Sequence, residues 1–437
     1  MDIIFSPERI GVQEFNDLQK ECLRHQESQQ DAVLLAPTGS GKTLAYALLH
    51  KNKLIEADQS QVLIVVPTRE LAQQIEDNYK AFFPGLFCVS VHGGTQSAVE
   101  KRKLRENPIV IIGTPGRILY HLENESFTTD ALNTLILDEY DKSLELGFKE
   151  QIEDIYRFMP KKIRKILVSA TELKNVPYFL KIHESLEINF LHLKKLSPKL
   201  QITELRTEPE YKAKALIQLF QNHKVDKTLV FCNHRDAVER IHLVLEKEGI
   251  EHDIFHGKME QYERELALFK FSNGSTRILI TTDLASRGLD VSDIELIVHY
   301  QLPLKQDAFT HRNGRTARVN KSGKVILLMS REEKKPDYLR GIEKEEINEN
   351  DYQPEEVPKA SSITLRLNLG KQDKIRKIDI VGYFLSFKKE IDKDELGQIL
   401  IREHESFVSV PKEKASALIK LTQSHKIKNK KVKVTTI

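Results

Sequence analysis

The stretch LILDEYDKSLELGF, residues 135–148, joins an apolar run to two adjacent carboxylates. The run Leu135–Leu137 predicts a buried strand, and Asp138 and Glu139 follow it immediately. Acids at the carboxyl end of a buried strand are typical of an open parallel α/β sheet, whose ligands bind in the crevice outside the strand ends. An ordinary solvated loop explains an isolated Asp-Glu pair more simply. The surrounding sequence therefore has to decide the fold.

The same pattern of an apolar run followed by a turn recurs along the chain. In residues 1–200 it appears as VLLAPTGSGKT, VLIVVPTRELAQQ, PIVIIGTPGR, LILDE and KILVSAT. A second series starts near residue 210 with KTLVFCN, HDIFHG, RILITTD, ELIVHY and KVILLMS. Strands that alternate with amphipathic stretches indicate parallel sheets with crossover helices. We therefore predict two tandem α/β domains, residues 1–200 and 201–333.

Length and composition limit the class of protein. A chain of 437 residues is too long for one core and indicates two or three domains. No apolar run reaches the ~20 residues of a membrane span, and the start lacks the order of a signal peptide, so we expect a cytoplasmic protein. Cys22, Cys88 and Cys232 are far apart and form no CxxC, which predicts neither disulfides nor a zinc site.

Residues 359–437 differ from the rest in charge and in pattern. They hold 18 Lys and Arg against 9 Asp and Glu, a net charge of +9, whereas residues 1–358 carry −6. Their apolar pattern predicts the order βαββαβ of a small α+β domain. A basic domain on a slightly acidic body indicates a nucleic-acid-binding module, with a solubilising lysine-rich tail as the alternative. The charged residues 334–358 are predicted to be an acidic linker.

A phosphate-binding loop is predicted at APTGSGKT, residues 36–43, which follows the strand VLLA and precedes the helical run LAYALLH. Lys42 can place its ammonium beside the β- and γ-phosphates, and Thr43 can ligate Mg²⁺. Ala36 stands where the GxxxxGK[ST] pattern starts with glycine, so a chance Gly-rich turn is the alternative. The predicted nucleotide contacts of the loop are Thr38, Gly39, Ser40, Gly41, Lys42 and Thr43.

The acids of the opening stretch complete such a site. A Mg²⁺–nucleotide needs a carboxylate at the end of a neighbouring strand, and Asp138 fits that role. Glu139 beside it can polarise the water that attacks the γ-phosphate. The loop and the acids together predict an enzyme that hydrolyses nucleoside triphosphates.

Further short blocks accompany these two sites across roughly residues 11–330. They are PTREL at 67–71, Gly93-Gly94, TPGR at 114–117, SAT at 169–171, Gln261 with Arg264, TTDLASRGLD at 281–290 and HRNGRTAR at 311–318. With DEYD at 138–141 in place of DEAD, the sequence closely resembles the DEAD-box RNA helicases of superfamily 2. The resemblance implies two RecA-like domains and an RNA-stimulated ATP hydrolase that uses Mg²⁺.

The resemblance also implies roles for residues around the nucleotide. Gln19 would read the adenine edge, which selects ATP. From the second domain, Asp290 would hold ATP, while Arg315 and Arg318 would act as arginine fingers on the γ-phosphate. Arginines on one domain that complete a site on another make hydrolysis depend on domain closure.

Coupling and RNA-binding residues follow from the same resemblance. Ser169 and Thr171 would couple nucleotide state to closure, with Asp141 contacting that motif. Arginines and close backbone approach suit sugar-phosphate contacts that carry little sequence information; for a single arginine, a surface salt bridge is the alternative. The implied RNA contacts are Arg69, Gly94, Thr114, Gly116, Arg117, Gln261, Arg264 and Thr281.

The chain departs from the family pattern at three places. Tyr140 replaces the Ala of DEAD and adds a bulky phenol near the motif, but both metal-site acids and Asp141 are kept, so we expect hydrolysis to be slowed and not lost. Phe15 replaces a proline near Gln19, and Phe5 lies too close to Gln19 to be the aromatic that stacks on adenine. Ala317 takes the place of a glycine in the arginine-finger block.

The basic domain resembles the RRM-like RNA-binding domain of DbpA-type DEAD-box proteins, on the segment HESFVSVPKEKASALIKLTQSHKIKNKKVKV. That resemblance implies docking on a hairpin of large-subunit ribosomal RNA. Phe407 is either a base-stacking residue or, more simply, a core residue. The lysines that could contact phosphate, or be merely solvated, are Lys426, Lys428, Lys430, Lys431 and Lys433.

The sequence thus predicts an ATP-dependent RNA helicase that opens short duplexes locally during large-subunit assembly. Two alternatives stay open. One is an ATP-gated RNA clamp in which DEYD has abolished turnover, and the other is a DNA-directed helicase. Protein partners are not predictable from these residues.

Overall fold

The structure, a computed structural model, describes residues 4–37, 39–55, 58–172, 176–180, 182, 184–191, 200–224, 227–283, 294–316, 323–340, 345–348, 356–387, 390–423 and 425–437. The described residues up to 191 form one compact unit, and those from 200 onward form a second. Each unit contains a parallel sheet, and the second also contains a small antiparallel sheet. The predicted α/β class with an appended α+β domain is confirmed.

The first unit is built on seven parallel strands in the order β3-β4-β2-β5-β6-β1-β7. The strands are apolar because helices cover both faces, and in β2 all four residues are buried. The bounds are β1 Asp31–Leu35, β2 Val62–Val65, β3 Cys88–Val91, β4 Val110–Gly113, β5 Thr134–Leu137, β6 Arg164–Ser169 and β7 Ser185–Asn189.

The helices of this unit cover the sheet with amphipathic faces. In α3, Thr68 caps the N-terminus by accepting the N–H of Leu71 at 3.3 Å. Apolar residues then recur every three or four positions on the side that faces the sheet. The bounds are α1 Asp17–Arg24, α2 Lys42–His50, α3 Arg69–Phe82, α4 Ser97–Leu104, α5 Pro115–Glu123, α6 Tyr140–Glu145 and α7 Lys149–Arg157.

The parallel sheet of the second unit has the order β10-β11-β9-β12-β13-β8-β14. Two of its strands lie outside the predicted series. Strand β8 precedes that series, and β14 comes from the predicted acidic linker and pairs in parallel with β8. The strands are β8 Leu200–Thr207, β9 Thr228–Cys232, β10 Asp253–Phe255, β11 Ile278–Thr282, β12 Leu296–His299, β13 Gly323–Ser330 and β14 Glu345–Asn348. The helices are α8 Lys212–Asn222, α9 Arg235–Lys247, α10 Gln261–Ser272 and α11 Gln306–Asn313.

The C-terminal module, residues 359–437, has an antiparallel sheet in the order β16-β17-β15-β20. The predicted order βαββαβ is confirmed, with a short hairpin of β18 and β19 inserted before the last strand. The strands are β15 Ser362–Leu367, β16 Ile399–Ile401, β17 Ser406–Pro411, β18 Lys426–Ile427, β19 Lys430–Lys431 and β20 Val434–Thr436, and the helices are α12 Lys377–Leu385 and α13 Lys412–Thr422.

One face of the module sheet packs against α10 of the same unit. The rings of Phe407 and Phe269 lie 6.3 Å apart. Polar contacts flank them, with Asn273 Nδ2 donating to Thr364 Oγ1 at 3.1 Å and Ser409 Oγ donating to the Asn273 carbonyl at 3.4 Å. The module is therefore joined to the parallel-sheet domain of the same unit by an interface that contains this ring pair and these polar contacts.

All three cysteines are buried, and burial raises the pKa of each thiol to about 12. No disulfide joins them. Among the described helices, none combines the length and the apolar character needed to cross a bilayer.

Candidate nucleotide and RNA sites

Three neighbouring strands of the first sheet carry the predicted nucleotide-binding motifs at their carboxyl ends. Strands β5, β6 and β1 lie side by side. The phosphate-binding loop follows β1, Asp138 and Glu139 follow β5, and β6 ends at Ser169. Because parallel strands end at the same edge of a sheet, the three motifs share one site.

The loop after β1 is shaped to receive phosphate. Gly39 and Gly41 have φ angles of 79° and 80°, a left-handed conformation that glycine adopts without strain. Helix α2 begins at Lys42, so the N–H groups of its first turn are available to an anion. The Lys42 ammonium donates to the carbonyls of Ala36 and Pro37 at 3.2 and 3.0 Å, which places it over the loop.

Helix α1 braces this loop. Asn16 caps the helix and exchanges two hydrogen bonds with Gln19, at 3.0 and 3.1 Å. The Asn16 side chain also donates to the carbonyl of Ser40 at 3.0 Å, and Gln19 Nε2 lies 3.5 Å from the carbonyl oxygen of Gly41. A Cβ at position 41 would collide with the Gln19 amide. Gln19 thus supports the loop, and its contact with adenine stays a prediction.

The two acids after β5 are held in an unfavourable environment. Asp138 is 3% exposed, and burial, followed by the charge of Glu139, raises its pKa to about 6. Glu139 has a φ of 46°, a left-handed conformation that costs about 1 kcal/mol for a residue with a side chain. Its buried Oε2 has no hydrogen-bond partner among the described residues. Strain and an unsatisfied carboxylate at one position are typical of a ligand site.

The contact expected between the DEYD and SAT motifs is present. Thr171 Oγ1 donates to Asp141 Oδ2 at 2.8 Å. Ser169 Oγ accepts the N–H of Thr171 at 3.0 Å and donates to its carbonyl at 2.7 Å. The two motifs are therefore joined by a hydrogen bond, and their role in coupling nucleotide state to domain closure stays a prediction.

The bulky side chain of Tyr140, which the sequence puts near the motif, lies in an apolar core, and its effect on hydrolysis stays a prediction. Helix α6 starts at Tyr140, and its ring is fully buried in the apolar core beneath the sheet, with Leu137 and Ile152 in the same cluster. Its hydroxyl has no hydrogen-bond partner among the described residues. Tyr140 is thus a core residue, with its side chain packed among apolar residues.

The other side of the same edge carries the predicted RNA contacts. Strands β3, β4 and β2 are neighbours. Arg69 is the first residue of α3, the helix that follows β2 in the chain. Gly94, with a φ of 105°, follows β3. Thr114 lies between β4 and α5, and Gly116 and Arg117 lie in the first turn of α5. Helix N-termini and arginines together make this edge suitable for phosphate groups.

The Arg117 side chain is held by residues that the sequence analysis did not single out. Arg117 Nε donates to Glu100 at 2.5 Å, and Arg117 Nη2 donates to the carbonyl of Thr95 at 3.1 Å. Glu100 is 1% exposed and also contacts His121 Nε2 at 2.9 Å. Burial acts to raise the pKa of Glu100, but hydrogen bonds, first from His121, hold it below its ordinary value. A lone buried Glu in a polar helix gives no sequence signal for this role.

Close approach explains the Gly93-Gly94 pair. A Cβ at position 93 would lie 2.5 Å from Arg69 Nη2. The guanidinium of Arg69 therefore lies against the backbone of that turn, and a side chain there would displace it.

In the second unit the three predicted RNA contacts have different surroundings. Gln261 opens α10, and its Nε2 donates to Glu265 Oε1 at 3.2 Å. Arg264 is 9% exposed, with its guanidinium carbon 5.1 Å from the ring centre of Phe255. Thr281 is fully buried, and its hydroxyl donates to the Phe255 carbonyl at 2.9 Å. The Thr281 side chain thus joins β10 to β11 and has no exposed surface to offer RNA in this structure.

Of the residues predicted to act on ATP from the second domain, only one is described. Arg315 lies in the turn after α11 and is 7% exposed. Its role as an arginine finger stays a prediction. Asp290 and Arg318, like Thr38 of the phosphate-binding loop, lie outside the described residues.

Arg312, in the same HRNGR block, is a residue that the sequence analysis missed. It is 2% exposed and binds Asp283 with two hydrogen bonds, at 2.6 and 2.7 Å. It also donates to Asn233 Oδ1 at 2.8 Å and to the Gln301 carbonyl at 2.6 Å, and it stacks on Phe231. Arg312 therefore anchors the loops at the edge of the second sheet.

The C-terminal module settles the alternatives for Phe407. The side chain is fully buried against α10, so base stacking is excluded in this arrangement. Two of the predicted lysines are paired within the module, Lys428 with Asp379 at 2.6 Å and Lys430 with Asp373 at 2.8 Å. The other three of these five lysines, Lys426, Lys431 and Lys433, are exposed and make no ion pair among the described residues.

Three family models match the chain in sequence order. The DEAD/DEAH box helicase model matches residues 16–177, the helicase conserved C-terminal domain matches residues 211–320, and the DbpA RNA binding domain matches residues 364–436. These three matches fall on the two parallel sheets and on the C-terminal module.

Whole-chain relatives share this arrangement. The chain is 31% identical to the ATP-dependent RNA helicase DbpA of Escherichia coli over 428 residues, 93% of this chain and 90% of the relative. It is 28% identical to DbpA of Bacillus subtilis, over 99% of this chain and 97% of the relative. The fold resembles that of S. cerevisiae Dbp5 bound to RNA and ADP BeF3, with a TM-score of 0.71 and 23% identity over 79% of this chain and 95% of that one.

Proposed function

The chain belongs to the DEAD-box family of ATP-dependent RNA helicases, of the DbpA type, and on that premise we propose that it opens short duplexes locally in large-subunit ribosomal RNA. The observation that carries this proposal is the division of one sheet edge. The nucleotide motifs follow β5, β6 and β1, whereas the RNA-contact residues follow β3, β4 and β2. This arrangement supports a mechanism in which ATP turnover and RNA contact use neighbouring loops of one sheet.

We propose Mg²⁺ as the cofactor, held by Asp138 and by the Thr43 hydroxyl. The fit rests on the donor set, because a buried carboxylate with a raised pKa gains most from a divalent cation. The cation would neutralise charge on the phosphates of ATP. Lys42 would bind the phosphate chain, and Glu139 would orient the attacking water through its unsatisfied carboxylate.

On the basis of its sequence motifs, the second domain is proposed to supply the other side chains that bind ATP. Asp290 would hold ATP, and Arg315 and Arg318 would stabilise charge on the γ-phosphate, so that hydrolysis depends on closure. Gln19 would select adenine while bracing the phosphate-binding loop.

The C-terminal module is proposed to deliver this activity to ribosomal RNA. Its sheet face is closed by α10, so RNA is expected at the opposite, basic edge formed by the β18–β19 hairpin and the start of α12. Lys426, Lys431 and Lys433 are the proposed phosphate contacts there. By holding one RNA region near the core, the module raises the effective concentration of nearby duplexes.

The test compares two RNAs on the full-length chain. ATPase activity and duplex opening are measured against a hairpin fragment of large-subunit ribosomal RNA and an unrelated hairpin of equal length. A lower half-saturating concentration for the ribosomal fragment supports the proposal, and equal values for both RNAs contradict the proposed target. Replacing Lys426, Lys431 and Lys433 by Gln should remove the preference, whereas Lys428→Gln, at a paired lysine, is the matched control.

The same assay separates the alternatives. ATP turnover without duplex opening would indicate the clamp, and equal opening of a matched DNA duplex would indicate a DNA-directed helicase.

A further inference from the structure

Helix α10 carries residues of two kinds on adjacent faces. Gln261 and Arg264, in its first turn, are the proposed RNA contacts of the second unit. Tyr262, Glu265 and Phe269 recur at helical spacing and face the C-terminal module. Because residues three and four positions apart are neighbours on a helix, the module packs directly beside the RNA contacts.

Glu265 belongs to both faces. Its Oε1 accepts a hydrogen bond from Gln261 Nε2 at 3.2 Å. Its Oε2 lies 3.4 Å from Nη1 of Arg402, which comes from the edge of the module sheet. The guanidinium of Arg402 is itself fixed over the ring of Tyr262, with its carbon 4.6 Å from the ring centre. One carboxylate therefore joins an arginine of the module to an RNA-contact residue of the core.

We propose that Arg402 and Glu265 are positioning residues through which the docked C-terminal module sets the Gln261 amide for RNA. This inference rests on the proposed function and on the RNA contact that the family resemblance implies for Gln261. Without Arg402, the Glu265 carboxylate is no longer neutralised or oriented. A partly exposed negative charge then stands beside the path of the RNA phosphates and repels them.

The contact from Arg402 through Glu265 to Gln261, here called the relay, and a simple tether should affect different sets of RNAs. A tether improves only an RNA that the module itself recognises. The relay acts on every RNA that reaches the core, because the module changes a core residue instead of holding a second part of the ligand. An RNA without structure is therefore the informative probe.

The experiment measures ATPase activity of the full-length chain against the concentration of polyuridylate. Arg402→Gln should raise the half-saturating RNA concentration about fivefold at unchanged kcat, the effect of roughly one exposed charge pair. Arg402→Lys, which keeps the charge, should restore most of the affinity. Lys412→Gln is the matched control, because Lys412 bridges to Glu251 at 2.7 Å and joins the module to the same unit without touching a proposed RNA contact.

The decisive comparison is made in a Glu265→Gln background, where the carboxylate charge is absent. There Arg402→Gln should have no further effect on RNA affinity. Equal shifts for Arg402→Gln and Lys412→Gln, or an unchanged Arg402→Gln effect in that background, overturn the relay. Gln261→Ala separates this failure from that of the proposed function: if it leaves RNA affinity unchanged, the RNA contact itself is wrong, and if it weakens RNA binding while Arg402→Gln does not, only the relay fails.

Discussion

The edges of the two parallel sheets differ in how well their buried charged side chains are hydrogen-bonded. At the edge of the first sheet, Asp138 is buried with a raised pKa, and Glu139 is strained and has an unsatisfied oxygen. At the edge of the second, Arg312 is equally buried, but all three of its nitrogens donate hydrogen bonds. A satisfied buried charge stabilises the fold, whereas an unsatisfied one marks a place prepared for a ligand.

The largest effect is expected where the buried charge is satisfied. Arg312→Gln removes the partner of Asp283 and should lower the free energy of unfolding of the second unit by about 3–5 kcal/mol. Thermal unfolding measures this loss. Arg235→Gln is the control, since Arg235 is exposed and, among the described residues, forms an ion pair only with its neighbour Asp236; it should cost less than about 1 kcal/mol. Equal costs for both variants would contradict the comparison.

Substitutions of Tyr140 test whether the residue between Glu139 and Asp141 belongs to the site or to the core. Tyr140→Ala should cost about 3 kcal/mol of stability, because it leaves a cavity in the core. Tyr140→Phe should be neutral or slightly stabilising, since the hydroxyl that it removes has no described partner. Both variants, where folded, should keep RNA-stimulated ATPase activity. A folded Tyr140→Phe protein without activity would return the residue to the site.

Glu139→Gln should act on turnover and not on the fold. We expect kcat of ATP hydrolysis to fall about 100-fold or more, equivalent to about 2.7 kcal/mol in the barrier, because the water loses its orienting carboxylate. The unfolding midpoint should stay the same or rise, since an unsatisfied buried charge has been removed. Unchanged turnover would show that Glu139 is only an acid at the end of a strand.

Asp138 predicts a pH-dependent stability with a defined sign. Its folded pKa of about 6 is raised, so the folded chain without ligands is stabilised by the proton at low pH and loses that contribution as pH rises from about 4 through 6. Asp138→Asn should therefore stabilise the chain by about 3 kcal/mol at pH 8 and by less than about 1 kcal/mol at pH 4. Unfolding is measured in EDTA without nucleotide. A destabilised variant at pH 8 would show that the carboxylate is satisfied by the fold.

The sequence predicted the strands and their motifs well because each joins an apolar run to chemically demanding residues. It could not predict β14, since EEIN, residues 345–348, has no apolar run and gains its place only by pairing with β8. The sequence also could not predict that the side chains of Tyr140 and Phe407 are buried. Tyr140 depends on the rotation at the start of α6, and Phe407 on a partner, Phe269, that is remote in sequence. The roles of Arg312 and Glu100 could not be predicted either, because their hydrogen-bond partners are remote in sequence.

The closed sheet face of the C-terminal module limits what a fragment can report. Cut away from α10, the module would expose the ring of Phe407 together with Thr364 and Ser409, which the intact chain covers. An open sheet face with an aromatic ring invites self-association and stacking on loose bases. Affinities measured on the isolated piece would then mix native phosphate contacts with a surface that the full-length protein never shows to RNA.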